Sequence, residues 1–569
     1  MAGKQPVIGA SVQLYAAGTG GNGSASTSLL TSGLTTDANG VFTVPAGYTC
    51  PLSSSQVYVV ARGGKPGLAA ASANDALVLL TVMGDCNHVA AASQIVVNEV
   101  TTVAATYALS QFLSAGGNLG ASSTNLLGLQ TAVATASALA DVVAGSSPGL
   151  TFATNGSSPA AKIDSVANLL NACATSTPSG RACGMLFAAT TPIGSSSPAN
   201  TLDAALNLVR NPATKVAPLY TLSLSSSAFA PVLAAAPSDW TLFVTYTGGG
   251  MSSPSRLGID SLGDVWVANY FNVASLFSPL GKPFLPQGIR GFGLSASYGL
   301  AVDANDNAWI PNEPSTGVRG NSVSVLTATG QSAAGSGGFT AGGLDYPTGV
   351  AIDTDTTVWV VDYGNSHLTH LSSSGQALSG ASGYTSPLFA FPVFAAIDAS
   401  HNVWVANQSG SSVTKVAPDG SQFTDYACCN GPSTLAIDRL GNVWVANYYG
   451  DSISEISSAG VVLSNGSYMG GGLNHPQGIA IDGAGNVWVT NFRSVSITEL
   501  AGAGASVPGA ALSPSGGLGA DAGLLEAYSI AVDASGNLWI SNFGSSTLTQ
   551  FVGLAAPVRT PLLVLPVEP

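Results

Sequence analysis

One phrase recurs seven times from residue 257 onward: an Asp stands six residues before a Trp, and an Asn or Asp stands three residues after it. The copies are Asp260, Trp266 and Asn269; Asp303, Trp309 and Asn312; Asp353, Trp359 and Asp362; Asp398, Trp404 and Asn407; Asp438, Trp444 and Asn447; Asp482, Trp488 and Asn491; Asp533, Trp539 and Asn542. Successive Asp residues lie 43, 50, 45, 40, 44 and 51 apart. That is the length of a four-stranded sheet, and self-similarity at this period marks radial β architectures. Seven copies predict a seven-bladed β-propeller. In the copy from Ile479 to Val489 an apolar strand reaches Asp482, turns through Gly485-Asn486, and returns as a second strand. Asp and Asn hydrogen-bond their own turn backbone, so the turn is locally encoded. Each Trp then stands in one phase on a second strand, where the indole can fill the wedge between neighbouring sheets.

The last copy leaves room for only three strands. Trp240 opens Thr241-Leu242-Phe243-Val244-Thr245-Tyr246 just before the first copy, so residues 240–246 are predicted to supply the missing outer strand and leave no sheet edge open. The propeller then spans 240–556, with 226–239 as a linker and 557–569 as a tail.

The phrase Pro-x-Gly-Ile-Ala-Ile-Asp-x-x-Gly-Asn-Val-Trp-Val, clearest from Pro476 to Val489, resembles NHL-repeat propellers and the seven-bladed virginiamycin B lyase-like group. For those lyases the resemblance implies a metal-dependent reaction with catalytic His and Glu on one face of the ring. Their strands read Trp-Phe-Thr-Glu where this chain reads Trp444-Val445-Ala446-Asn447, and Pro347, Pro392, Pro432 and Pro476 are followed by Thr348, Val393, Ser433 and Gln477 rather than His. The remaining candidates for an acid, base or ligand are His475, Glu313, Asp362, Asp451 and Glu526. His367 and His370 are three apart, but a strand would place them on opposite faces.

In a propeller the loops entering the first strands and those joining second to third strands share one end of the central channel. The entering loops carry Tyr298, Tyr346, Phe391, His475 and Tyr528; the others carry Tyr270, Phe271, Tyr363, Tyr448, Tyr449, Phe492 and Phe543. Flat rings interleaved with Asn269, Asn312, Asn407, Asn447, Asn491 and Asn542 suit sugar rings or extended peptides, which present C–H faces and hydrogen-bonding edges. The competing reading packs the rings against adjacent sheets and has each Asn cap its own turn, because a feature found in every repeat serves the repeat first.

Upstream, residues 1–85 alternate apolar and polar residues in short segments. Gly9 to Leu14, followed by Thr36 to Phe42, resembles the carboxypeptidase regulatory-like, transthyretin-like β-sandwich, whose modules are spacers or adhesive units. From 86 to 225 the period changes: Val96, Val100, Val103 and Tyr107, and again Leu202, Leu206 and Val209, fall on single helical faces. Segments 122–145 and 159–173 also read as helices. The whole is therefore mainly β and multidomain: a small sandwich, an α-helical middle domain and the propeller.

The six cysteines fall into local pairs, Cys50 with Cys86, Cys173 with Cys183, and Cys428 beside Cys429. None has metal-site spacing, so oxidised pairs in an exported protein are expected, with any secretory leader already removed before Met1. A vicinal Cys428–Cys429 bridge would form a rigid step on an entering loop. Lys and Arg number 15 against 29 Asp and Glu, a net charge of −14, which excludes a basic nucleic-acid or anionic-membrane binder. Charged residues are only 8% of the chain, yet no run reaches the ~18 apolar residues of a membrane span. Three functions follow. The first is an extracellular or cell-surface binder of polysaccharide or protein, with no cofactor. The second is a lyase or hydrolase at the same face, for which a divalent cation would be required. The third is a structural subunit that self-assembles, since few charges oppose contact.

Overall fold

The computed structural model describes residues 1–45, 47–67, 73–86, 94–177, 179–315, 320–464, 467–563 and 565–569; His88 lies outside them. Seven antiparallel sheets follow one another between Pro254 and Phe551, each carrying one copy of the repeated phrase. In the sixth, Pro476–Ile481 pairs with Val487–Asn491 so that Ala480 lies opposite Trp488, and Ile497–Leu500 adds the third strand. The hairpin turn is built as its residues require. Asp482 Oδ1 accepts the Asn486 N–H at 2.9 Å, and Gly485 takes φ +93°, a conformation that a Cβ disfavours.

The same Asp has a second task. Its Oδ2 accepts the indole N–H of the Trp six residues on, at 2.9 to 3.0 Å for Trp309, Trp404, Trp444, Trp488 and Trp539. All seven of these indoles are buried. Each packs among apolar side chains of the next sheet: Trp266 with Val302 and Ile310, Trp309 with Val350 and Val360, Trp359 with Ile397 and Val405. Trp404 meets Leu435, Trp444 meets Ile479, and Trp488 meets Ile530. Trp539 returns to Leu257 and Val265 of the first sheet, so the cycle closes. The first strands touch in the same order, with Ala527–Val532 against Pro254–Ile259.

The seventh sheet takes its fourth strand from upstream: Phe243–Tyr246 pairs with Thr547–Phe551, Leu548 opposite Tyr246. Tyr246 stacks on Trp539 at 5.8 Å and donates to Gln550 Oε1 at 2.9 Å. Phe339, Tyr384, Tyr426 and Tyr468 stand over Trp309, Trp359, Trp404 and Trp444 in the same way. These outer rings fall outside the repeated phrase and went unnoticed in the sequence. Trp240 does not join them. It is buried among the helices, its carbonyl accepting the Tyr107 hydroxyl at 2.6 Å.

At the N-terminus, β1 (Val7–Ile8) pairs with β6 (Lys65–Pro66). A second sheet runs β3 (Thr27–Ser28), β2 (Ser11–Ala16), β5 (Gln56–Arg62), β7 (Val78–Asp85), with β4 (Leu34–Thr35) also on β2. Among the described residues six helices follow: α1 Glu99–Ala108, α2 Leu126–Leu139, α3 Ala160–Ala174, α4 Arg181–Thr190, α5 Thr201–Arg210 and α6 Val216–Ser223. Asn98 opens α1 with a reciprocal capping box to Thr101. One face of the β5–β7 sheet, through Tyr58, Val60, Val78 and Leu80, shares a single core with α1 to α6 and with Trp539 of the ring. Its other face, carrying Val12, Leu14, Val57, Val59 and Leu79, belongs to a second core with Val7, Leu29, Leu30 and Val97.

The segment read as a linker, 226–239, is mostly exposed but anchored in the core shared with the helices by Phe229, which is buried and whose carbonyl accepts from Asn168 Nδ2 at 2.9 Å. Lys162 of α3 pairs with Asp521 at 3.0 Å, tying the helices to the ring. Three disulfides are present, Cys50–Cys86, Cys173–Cys183 and Cys428–Cys429. Among the described residues no helix is long and apolar enough to cross a membrane.

Candidate functional site: the aromatic mouth of the ring

The inner strands line a channel of about 200 Å³ whose walls include Ile259, Val302, Ile352, Ile397, Ile437, Ile481 and Val532. The two ends differ. At the end bearing the Asp turns, Val558 N donates to the Asp533 carbonyl, and Leu562, Leu563 and Pro566 of the tail fill the opening. The opposite end bears the loops rich in aromatic residues.

Those loops are held by a latch that the sequence did not announce. The residue seven before each Asp takes positive φ in every sheet: Ser253, Ala296, Tyr346, Phe391, Gly431, His475 and Glu526, between 38° and 61°. Only one is Gly. Non-Gly residues rarely hold this conformation, so something must fix it. At six of the seven junctions the backbone N–H of that residue donates to a side-chain oxygen of the preceding sheet. Ala296 uses Asn272, Tyr346 uses Asn321, Phe391 uses Ser366, Gly431 uses Ser411, His475 uses Asp451 at 2.6 Å, and Ser253 uses Ser546.

The Asn ring is likewise internal. The six Asn side chains and Asp362 are fully buried. Each Nδ2 donates to the Ser or Thr on the third strand, as Asn447 does to Ser454 Oγ at 2.9 Å, while five of the six Oδ1 atoms accept a backbone N–H of the entering loop. These amides serve the sheets and offer no surface to a ligand. Asp362 replaces Asn in the third sheet, accepting from Thr369 Oγ1 at 2.7 Å. Burial pushes its carboxyl up to about 8, which keeps it protonated at neutral pH.

The rings form a surface. Eight of the eleven Tyr and Phe residues read on these loops join one contiguous run: Tyr449 and Tyr448 at 5.2 Å, Tyr448 and Phe492 at 5.9 Å, Phe492 and Tyr528 at 6.4 Å, Tyr528 and Tyr298 at 6.3 Å, Tyr298 and Tyr270 at 5.2 Å. Phe543 bridges Tyr528 and Tyr270, and Phe271 extends the run. Tyr363 and Phe391 form a separate pair at 5.1 Å, and Tyr346 stands exposed and apart. Most of the run is half-buried, with Tyr449 and Phe271 outermost. Burial raises the Tyr298 and Tyr528 hydroxyls above the usual phenol range, so both remain donors.

The candidate acids and base do not converge. Asp362 is enclosed in its sheet. His475 stands edge-on to Tyr448 and pairs with Asp451 at 3.3 Å, but Asp451 is that junction's latch, a place filled elsewhere by Asn or Ser. Glu313 lies near Tyr298 and Tyr528, and burial raises its carboxyl to about 7. Glu526 holds one of the positive-φ positions. Among the described residues, no hydrogen bond or ion pair joins any two of His475, Glu313, Asp362 and Glu526. None of the described residues forms a group of three His, Cys, Asp or Glu placed to hold a metal ion. The Cys428–Cys429 pair sits on the loop entering the fifth sheet, the Cys428 carbonyl accepting from Ser454 Oγ at 2.8 Å.

No protein-family model and no curated protein matches the chain. Solved structures similar to about half of it include a streptogramin B lyase, at 15% identity over 54% of this chain and 96% of that one, TM-score 0.42. Virginiamycin B lyase from Staphylococcus aureus aligns at 14% identity over 54% and 98%, TM-score 0.43. A gluconolactonase from Xanthomonas campestris aligns at 14% over 53% and 95%, TM-score 0.35.

Proposed function

We propose that the protein is an exported carbohydrate-binding protein in which residues 240–556, a seven-bladed propeller, hold a sugar chain across the aromatic mouth without turning it over. The observation that carries this reading is the unbroken run of rings from Tyr449 to Tyr270 around the open end of the channel. Ring faces at intervals of 5 to 6 Å meet the C–H faces of successive sugars, and the phenol hydroxyls supply edge contacts. Export is supported by three disulfides, which persist only in oxidising compartments. A non-catalytic role is supported by the dispersal of the candidate acids and by Asp451 serving as a latch for His475.

The test is a glycan-array screen with and without divalent cation, repeated with a Tyr448→Ala, Tyr449→Ala double variant. Binding that the double variant weakens by ~10-fold or more supports the reading, each lost ring costing about 0.5–1.5 kcal/mol beyond its area. Binding unaffected by the double variant, or no binding at all, refutes it.

A lyase or hydrolase is the second reading, and Glu313 favours it. A carboxyl raised to about 7 beside two phenols is suited to general acid or base work. Turnover that Glu313→Gln abolishes while binding persists would replace the first reading with this one.

A further inference from the structure

Among the described residues one cation of the mouth, Arg256, has no carboxylate paired with it. Arg256 occupies the third position of the first sheet's inner strand, where the other six sheets place Gly299, Gly349, Phe394, Thr434, Gly478 and Ser529. Small residues at five of those positions leave room for one long side chain, and Arg256 crosses from the first sheet to the fourth and fifth. Its guanidinium lies over Phe394 at 4.5 Å and Tyr528 at 5.5 Å, and Nη2 donates to the Ser433 carbonyl at 3.5 Å. The residue is only 8% exposed.

A guanidinium carries five N–H donors, and a single long hydrogen bond uses one of them. Among the described residues no carboxylate pairs with it. Glu313, one of the acids of this mouth, is raised by burial with no cation holding it down, so it is not the missing partner. The guanidinium stays protonated under burial, and a buried charge left unpaired is costly. The two ring faces offset part of that cost from either side. They leave the edge of the fork, the part that matches a carboxylate through two parallel hydrogen bonds, without a protein acceptor.

We propose that Arg256 receives a carboxylate borne by the bound sugar chain, so that the ligand is an acidic polysaccharide containing uronic acids. The inference rests on the carbohydrate reading and sharpens it. A single fork matches one negative charge, and a chain of net charge −14 disfavours a more highly charged group. Tyr528, over whose ring the guanidinium lies, and Tyr298, stacked on Tyr528 at 6.3 Å, join this position to the aromatic run that meets the sugar chain.

Calorimetric titration with oligogalacturonate and with its fully methyl-esterified counterpart, matched in length, tests the proposal on the wild type, Arg256→Gln and Arg256→Lys. The wild type is expected to prefer the acid by ~10-fold or more, the range of a charge-assisted pair. Arg256→Gln should bind acid and ester alike, and Arg256→Lys should keep part of the preference. Should Arg256→Gln fail to show the wild-type circular dichroism, the acid-to-ester ratio of the wild type decides alone. Equal affinity for acid and ester, or full affinity for the acid in a folded Arg256→Gln, overturns the proposal while carbohydrate binding stands. If neither oligomer binds but neutral glycans on the array do, the proposal also falls alone. If nothing binds, both readings fall together.

Discussion

Trp444 donates its indole N–H to Asp438 Oδ2 at 3.0 Å, while Asp438 Oδ1 accepts the backbone N–H groups of Leu440 and Asn442. One carboxylate thus closes a hairpin and fixes the ring that fills the gap to the next sheet. Trp444→Ala is expected to cost about 3–5 kcal/mol through the cavity it leaves. Asp438→Asn keeps one acceptor but turns an N–H donor toward the indole, costing about 1–3 kcal/mol for a buried donor left unpaired. Urea unfolding followed by fluorescence measures both, and an Asp438→Asn protein of wild-type stability would contradict this double role.

Asp362 gives the molecule a pH dependence of definite sign. Its folded carboxyl titrates at about 8, above the ordinary unfolded value of ~3.9. Between those values the folded state holds a proton that the unfolded state has lost, so stability falls as pH rises from about 4 to about 8. Asp362→Asn, the residue of the six other sheets, should remove that slope and raise the melting temperature most near pH 8. Melting curves across pH decide it; a variant less stable than wild type at pH 8 would count against the protonated acid.

How far the sequence reaches is set by which contacts are local. The Asp-to-Trp spacing was legible because turn and strand are contiguous, and an upstream closing strand could be anticipated because a three-stranded seventh sheet would expose an edge; the strand itself is Phe243–Tyr246, shorter than 240–246, with Trp240 packed among the helices. The Asn positions were legible only as alternatives, since a buried amide satisfied by Ser454 and an exposed one facing a ligand read identically. The positive-φ latches were not legible because six of the seven residues are not Gly, and their acceptors lie on the neighbouring sheet, upstream for five and near the far end of the chain, at Ser546, for Ser253. The setting of Arg256 is not legible in the sequence because it depends on Phe394, Ser433 and Tyr528, which come from three other sheets.

Tyr246 joins the two ends of the ring, so weakening it should loosen closure. Tyr246→Phe loses the hydrogen bond to Gln550 and should cost about 1 kcal/mol. Tyr246→Ala also loses the stack on Trp539 and should cost about 3–5 kcal/mol. Hydrogen exchange should show the increase concentrated in 243–246 and 547–551. Uniform loss of protection across all seven sheets would mean that closure is not locally held.

Cys173 and Cys183 tie the end of α3 to the start of α4. Replacing both with Ala releases a short loop and should cost about 3 kcal/mol by the chain-entropy estimate. Differential scanning calorimetry of the double variant checks it, and an unchanged melting temperature would show that helix packing alone holds this corner.

The most direct measurement is hydroxyl-radical footprinting of the whole protein with and without a glycan selected from the array. The account predicts protection of Tyr448, Tyr449, Phe492 and Tyr528, with the exposed Tyr346 and the N-terminal Tyr15 and Tyr48 unchanged. Protection confined to the N-terminal sheet or the helices, with the rings of the mouth still fully reactive, would contradict it.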